Sequence, residues 1–125
     1  MVFGGTGFVG TAVLAEALRR DQELHVFAVS RTGVAPTWLS TEPVYQTPRL
    51  HFLRGDLLAP ESVREALRTV TPDYDVVGCI SCVGAITPWS QTNMVRTCGD
   101  ANINAYTISF STLALLLPTV VMVPT

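Results

Sequence analysis

The sequence predicts an α/β fold with a doubly wound parallel sheet, and three observations support this class. Short segments rich in β-branched residues alternate with segments whose apolar residues recur at helical spacing. A glycine-rich turn, residues 4–10, joins the first strand-like segment to the first helix-like segment. Residues 75–81 are apolar almost throughout, which is typical of a strand covered by helices on both sheet faces. Elements in this order favour parallel pairing with right-handed crossovers.

Four strands and two helices are predicted in the first two thirds of the chain. The strands are residues 1–3, which form the end of a first strand, and residues 24–30, 50–53 and 75–81. The second helix begins at Pro60, where the missing amide donor costs nothing. Residues 32–48 contain Pro36, Pro43 and Pro48 and have no clear period, so a loop is predicted there.

Both predicted helices have one apolar face. In the first helix the apolar positions are Val9, Val13, Leu14, Ala17 and Leu18, and the positions left for solvent are Glu16, Arg19 and Arg20. In the second helix the apolar positions are Val63, Ala66, Leu67 and Val70. Each helix can therefore pack on the sheet.

Composition sets limits on function. The chain has 125 residues, 48% of them hydrophobic and only 14% charged, which indicates one domain over residues 1–125 with a modest core. The net charge of -2 argues against nucleic acid as a partner, because phosphate backbones require clustered basic charge. The eight basic residues are all arginines. We identify no targeting peptide before the glycine turn, so this segment of the sequence does not predict a compartment.

The glycine turn predicts a dinucleotide-binding site. Gly4, Gly7 and Gly10 lie between a strand end and a helix start, where a tight turn lets the backbone approach a pyrophosphate. The helix start then presents unpaired N–H groups and a positive dipole end to the phosphates. The predicted contact residues are Gly4, Thr6, Gly7, Phe8, Val9 and Gly10. The alternative is a tight strand-to-helix turn without a ligand, which we consider less favoured in this context.

The end of the second strand bears on the choice of cofactor. An acidic residue at this position binds the ribose hydroxyls of NAD, but this chain has Ser30 and Arg31. The planar guanidinium of an arginine suits a 2′-phosphate, so NADP is predicted over NAD. The alternative is an arginine that merely faces solvent at a strand end.

The spacing of Cys79 and Cys82 could suggest a redox pair or half of a metal site. Residues three apart in a strand point to opposite faces, and His25 and His51 are expected in separate strands. We therefore predict small buried hydrophobic cysteines and no metal site. Three cysteines, an odd number, also argue against a secreted disulfide scaffold.

Five segments together resemble the atypical short-chain dehydrogenase/reductases, a Rossmann-fold superfamily; they are residues 2–10, 29–33, 54–58, 79–85 and 99–105. The closest similarity is to the organellar branch that holds the nucleotide-binding accessory subunit of respiratory complex I and relatives linked to quinone metabolism. The resemblance implies that the chain carries the N-terminal half of the fold. It also implies a mitochondrial or chloroplast location, with a cytoplasmic one left open.

The resemblance further implies additional cofactor contacts. Asp56 and Leu57 would border the adenine, and Val83, Gly84 and Ala85 would line the ribose next to the nicotinamide. Asn102 would lie on the helix behind the fourth strand. Each has a structural alternative: Asp56 could close a strand before a helix, Gly84 could end the fourth strand, and Asn102 is favoured as a structural hydrogen-bonding residue.

No catalytic residue is predicted. Active members of the superfamily pair a tyrosine with a lysine four residues later, whereas here Tyr106 is followed by Phe110 and Tyr45 by Arg49. Two hypotheses follow. One is an NADP-dependent reductase or a fragment of one, and the other is a non-catalytic dinucleotide-binding module of an organellar electron-transfer or quinone-biosynthesis complex.

Residues 105–125 form an atypical apolar tail without a charged residue. Pro118 interrupts the apolar run, and basic anchors are missing at its ends, so a membrane helix is disfavoured. Residues 120–123 are a candidate fifth strand. We expect the chain to be truncated here, or its end to be altered.

Overall fold

The computed structural model describes residues 1–84 and 90–116, with side chains as far as residue 111. Its centre is one parallel sheet in the order β3-β2-β1-β4. The strands are β1 (Val2–Phe3), β2 (Val26–Ser30), β3 (Leu50–Arg54) and β4 (Ile80–Ser81). Because the chain moves outward in one direction from β1 to β3 and then returns to the other side of β1, the strand order reverses between β1 and β4.

Helices cover both faces of this sheet. They are α1 (Phe8–Arg20), α2 (Pro60–Val70), α3 (Gln91–Met94) and α4 (Ala101–Leu116). A π-helical turn, Val95–Asp100, joins α3 to α4, and two short 3₁₀ turns, Thr37–Thr41 and Pro43–Tyr45, lie within the segment that was predicted to be a plain loop. The predicted α/β class with a doubly wound parallel sheet is confirmed.

Two apolar cores hold the layers together. On one face, Leu14 and Leu18 of α1 pack against Val2, Val26 and Ala28. On the other face, α2 and α4 pack against the side chains of β1 and β2; the buried residues there include Phe3, Val29, Val63, Leu67, Ala105 and Ile108. All four apolar positions predicted for α2 are buried. Odd and even strand positions therefore go to different cores, as the period of a β-strand requires.

The prediction for α1 was wrong at one residue. Val9 was assigned to the apolar stripe, but it is exposed. The buried positions of α1 are Gly10, Thr11, Leu14, Ala15 and Leu18. Since Gly10 faces the turn and Leu14 lies one helical turn further along the same face, Val9 is rotated out of the interface.

The prediction for the fourth strand was wrong in extent and in burial. Regular pairing is limited to Ile80 and Ser81, which pair with Val2 and Phe3 of β1. Ile80 is 50% exposed, and no further strand in the described part of the chain pairs with β4. Because β1 is only two residues long, the apolar residues before Ile80 have few strand residues with which to pair.

The two histidines, which were predicted in separate strands, contact each other. The Nδ1 atom of His25 lies 3.0 Å from the Nε2 atom of His51, because β2 and β3 are adjacent and the register places Phe27 opposite His51. Phe27 stacks on His51, and the Tyr74 ring tilts against both imidazoles. If one of these nitrogens carries a proton, it can donate a hydrogen bond to the other. If both carry a proton, the two N–H groups repel each other.

The free energy of unfolding is expected to fall as the solution is acidified, because of this pair. Partial burial, and to a lesser degree the neighbouring His25, lower the pKa of His51. Below the ordinary histidine pKa of about 6.5 the unfolded chain therefore binds more protons than the folded chain, and stability decreases; above it the contribution is fully present. Urea unfolding at a series of pH values measures the effect. A His51→Gln variant with an equally steep pH dependence would refute this origin.

Candidate functional site

A cleft of about 460 Å³ opens at the carboxyl ends of the strands, where the strand order reverses. Ligands of open α/β sheets bind at such switch points. Most of the predicted site residues line it: Gly4, Thr6, Gly7, Ser30, Arg31, Asp56, Leu57, Val83 and Gly84. Phe8, Val9 and Gly10 are not among its lining residues. The side chains of Phe8 and Val9 point to solvent, with Phe8 95% exposed, so only their backbone could serve a ligand at the turn.

The glycine turn forms one wall of this cleft. Gly4 has a φ of 71°, which a residue with a side chain rarely adopts, and its N–H donates to the Val29 carbonyl at 2.8 Å. The Gly4 carbonyl then accepts from the Gly7 N–H at 3.1 Å. A Cβ atom on Gly10 would lie 2.1 Å from that same carbonyl oxygen. The start of α1 therefore lies directly on the turn.

The beginning of α1 is suited to an anion. Gly7 precedes the helix, and no side chain caps it. The Thr11 hydroxyl donates to the carbonyls of Gly7 and Phe8, so it supports the first turn without covering its N–H groups. The first N–H groups of a helix have no partner within the helix and carry its positive dipole end. The geometry thus fits a pyrophosphate in contact with backbone N–H groups.

A second wall is formed by the end of β2. The Ser30 hydroxyl accepts from the Gly33 N–H at 3.1 Å, which closes a tight turn after the strand. Arg31 is exposed, and its side chain makes no hydrogen bond or ion pair with any described residue. Thr32, which the sequence had not suggested, also lines the cleft. The strand end therefore presents an uncompensated positive charge and a hydroxyl group.

The segment after β3 is held mainly by its own hydrogen bonds. One carboxylate oxygen of Asp56 accepts from the Leu58 N–H at 2.9 Å, and the Asp56 N–H donates to Ser62 Oγ at 2.9 Å. Leu57 is 6% exposed, so its side chain belongs to the core, and its carbonyl accepts from Asn104 Nδ2. Asp56 closes the turn before α2 in this way. Its second carboxylate oxygen is the part available to an adenine.

The segment after β4 lies against the glycine turn. A Cβ atom on Gly4 would be 2.9 Å from Val83 Cγ2, so these strand ends touch. Asn102 on α4 donates through Nδ2 to the carbonyls of Val83 and Cys98 and also contacts the Ser81 hydroxyl. This is the structural role that was favoured for Asn102. Ala85, also predicted to line the site, lies outside the described residues.

Among the residues that the structure describes, neither Tyr45 nor Tyr106 lines the cleft. The Tyr45 hydroxyl donates to the Thr11 carbonyl at 2.9 Å, and Arg49 four residues later donates to three backbone carbonyls. Tyr106 and Phe110 stack on the exposed side of α4. Both Tyr45 and Arg49 thus hold the α1 side of the fold together.

Cys79 and Cys82 lie on opposite faces, as the strand period predicts, but they are only partly buried and not fully buried as expected; Cys98 is exposed. Cys79 packs against the core on the α2 side and Cys82 against the core on the α1 side. Burial raises the pKa of the Cys82 thiol, which disfavours the reactive thiolate form. Within residues 1–84 and 90–116, no three metal-ligating side chains come together. No helix in the described part of the chain is long and apolar enough to cross a membrane.

Several further residues complete the cleft. Val29, Gly55, Leu58 and Cys82 come from segments next to the predicted ones, whereas Thr97 and Ala101 come from the helical segment behind β4. Adjacency to a strand end could have indicated the first group. Thr97 carries no sequence signal, because only the packing of the helix against the strand ends places it there.

Residues 1–103 match the profile of a protein family described as the NAD dependent epimerase/dehydratase family. No curated protein sequence matches the chain.

Solved structures share the fold at low sequence identity. An ElxO variant with NADPH bound has a TM-score of 0.70 and 16% identity, over 92% of this chain and 50% of ElxO. A short chain dehydrogenase family protein from Francisella tularensis has a TM-score of 0.65 and 15% identity, over 91% of this chain and 44% of its own. A thiolation-reductase di-domain from an archaeal non-ribosomal peptide synthetase has the same TM-score and identity, over 88% and 25%. The chain thus spans half or less of these structures.

Proposed function

The chain belongs to the NAD dependent epimerase/dehydratase family, and from this premise we propose that it binds the pyrophosphate of a nicotinamide dinucleotide at the Gly4–Gly10 turn. The single observation that carries the proposal is the contact between Gly10 and the Gly4 carbonyl, which leaves no room for a Cβ atom. This contact holds the uncapped start of α1 directly behind Gly7, which lines the cleft. The turn residues would hold the phosphates through backbone N–H groups. When bound, the cofactor supplies hydride transfer chemistry.

We propose NADP over NAD as the ligand. Arg31 lies at the strand end that faces the adenosine ribose in such folds, and its guanidinium has no partner among the described residues. Ser30 stands where an acidic residue would bind the ribose hydroxyls of NAD. A 2′-phosphate would receive a forked, charged hydrogen bond from Arg31.

Replacing Arg31 with alanine is expected to weaken NADPH binding about tenfold, the size of one charge-assisted hydrogen bond, while NADH binding changes little. Fluorescence titration of the purified protein with each nucleotide measures both dissociation constants. The matched control is Arg19→Ala, which removes an exposed arginine far from the cleft. Equal losses for NADPH and NADH would remove the case for NADP. Failure of the unmodified protein to bind either nucleotide would overturn the proposed function itself.

A second candidate function is a non-catalytic dinucleotide-binding module. The observation that favours it is the absence of lysine from the 125 residues, since the tyrosine–lysine pair of active relatives cannot be formed within them. This candidate includes attachment to an organellar electron-transfer or quinone-biosynthesis complex, as the motif resemblance implies. Migration of the protein with such a complex on native gels, with no NADPH consumption, would support it. Turnover of NADPH with a carbonyl substrate would support a reductase instead.

A further inference from the structure

The ends of β2 and β3 form one continuous surface next to the cleft. Ser30 and Arg54 are register partners, and the Gly55 N–H donates to the Ser30 carbonyl at 2.8 Å. Neighbouring strands lie about 5 Å apart, and register partners point to the same sheet face. The side chains of Ser30 and Arg54 therefore leave the sheet side by side.

The turn that carries Arg31 rests on the backbone of Arg54. Gly33 has a φ of 67°, and a Cβ atom added to it would lie 2.7 Å from the Arg54 nitrogen and 2.9 Å from its Cα atom. This contact fixes the turn after β2 against the end of β3. Arg31 and Arg54 are thus held on two backbone segments that touch each other.

Neither arginine forms an ion pair with a described residue, unlike three other arginines of the chain. Arg20, Arg64 and Arg68 form ion pairs within their helices. Arg49 donates to backbone carbonyls. Arg31 and Arg54 are exposed and make no side-chain hydrogen bond or ion pair with any described residue. Two free guanidinium groups therefore flank the Ser30–Gly33 turn.

We infer that Arg54 is a second ligand of the 2′-phosphate and so a specificity-determining residue, an inference that rests on the proposed function. A phosphate monoester carries between about -1.5 and -2 charges at neutral pH, which a single arginine leaves half neutralised. Arg31 and Arg54 together match that charge. Arg54 is not among the residues that line the cleft, but its register partner Ser30 is, and both side chains leave the sheet on the same face. We therefore assign Arg54 to the rim of the cleft, where its guanidinium would bind phosphate oxygens that Arg31 leaves free.

The test compares Arg54→Ala and Arg54→Lys with the unmodified protein and with the Arg19→Ala control. Dissociation constants are measured for NADPH and NADH. Adenosine 2′,5′-bisphosphate and AMP, which differ only in the 2′-phosphate, are then compared as competitors of NADPH binding, so that their difference reports on the 2′-phosphate alone. For Arg54→Ala we expect about a tenfold loss for NADPH and for the bisphosphate, with NADH changed less than about twofold. Arg54→Lys keeps a point charge, so its affinity for NADPH should lie between that of Arg54→Ala and that of the unmodified protein. Thermal unfolding of each variant checks that the fold is retained.

Two results would overturn the inference and leave the proposed function standing. In the first, Arg54→Ala binds NADPH as tightly as the unmodified protein while Arg31→Ala does not. In the second, Arg54→Ala loses the same affinity for NADPH and for NADH. If the unmodified protein bound neither nucleotide, both the inference and the proposed function would fail. The double variant, in which Arg31 and Arg54 are both replaced by alanine, is expected to bind NADPH and NADH with similar affinity.

Discussion

Replacing Gly10 with alanine is expected to abolish NADPH binding and to lower the free energy of unfolding by about 3 kcal/mol, the upper range for overpacking. The added Cβ atom would lie 2.1 Å from the Gly4 carbonyl oxygen and 2.7 Å from the Gly5 Cα atom. Both are backbone atoms, so no side chain can rotate away. Relief requires α1 to move off the turn, which removes the helix start from the cleft. Chemical unfolding and NADPH titration measure the two effects.

Gly99→Ala is the matched control, because Gly99 is also a helical glycine but has no heavy atom within 4 Å of its added Cβ. Alanine there is expected to be neutral or to stabilise by about 0.5–1 kcal/mol, since glycine is unfavourable in helices. Its NADPH affinity should stay unchanged. If Gly10→Ala and Gly99→Ala had the same stability and the same affinity for NADPH, Gly10 would not be in close contact with the turn.

Replacing Arg49 with methionine is expected to destabilise the protein by about 2–3 kcal/mol, because hydrogen bonds from a charged donor are lost together. Its Nη1 atom donates to the carbonyls of Asp21 and Leu24 at 2.8 and 3.0 Å, and Nη2 donates to Leu18 at 3.1 Å. The guanidinium thereby ties the end of α1 and the following loop to the start of β3. Methionine keeps most of the apolar stem but none of the donors. Urea unfolding measures the loss.

The control for this variant is Arg19→Met, which changes an exposed arginine in the last turn of the same helix. Arg19 has no partner among the described residues, so its replacement should change stability by no more than about 0.5 kcal/mol. Arg49→Lys keeps one donor group and should recover part of the loss. Equal stabilities for Arg49→Met and Arg19→Met would mean that the carbonyl contacts contribute nothing.

Sequence reasoning succeeded where the signal was local. The apolar positions of α2, from Val63 to Val70, are buried as their helical spacing predicted, because an amphipathic helix records its packing face in its own sequence. The strand–turn–helix context of Gly4 and Gly10 gave the order of the first elements for the same reason. The family prediction is confirmed at the level of the match over residues 1–103. The organellar branch and the individual site residues remain predictions.

What sequence reasoning missed depends on contacts between distant segments. The hydrogen bond between His25 and His51 follows from the register of β2 and β3, which no local pattern records. Thr97 reaches the cleft only through the packing of the helical segment against the strand ends. Val9 carries an apolar side chain at helical spacing, yet the close contact of Gly10 with the turn decides which face of α1 is buried.

The position of β1 at the centre of the sheet has a consequence for how the protein folds. Its pairing with β2 joins segments close in sequence, Val2 with Ala28, whereas its pairing with β4 joins Val2 with Ile80. The threefold longer loop costs about 1 kcal/mol more in closure entropy, and β4 returns only a two-residue ladder. The β1–β2–β3 unit with α1 can therefore assemble early, and the cleft acquires its β4 wall last.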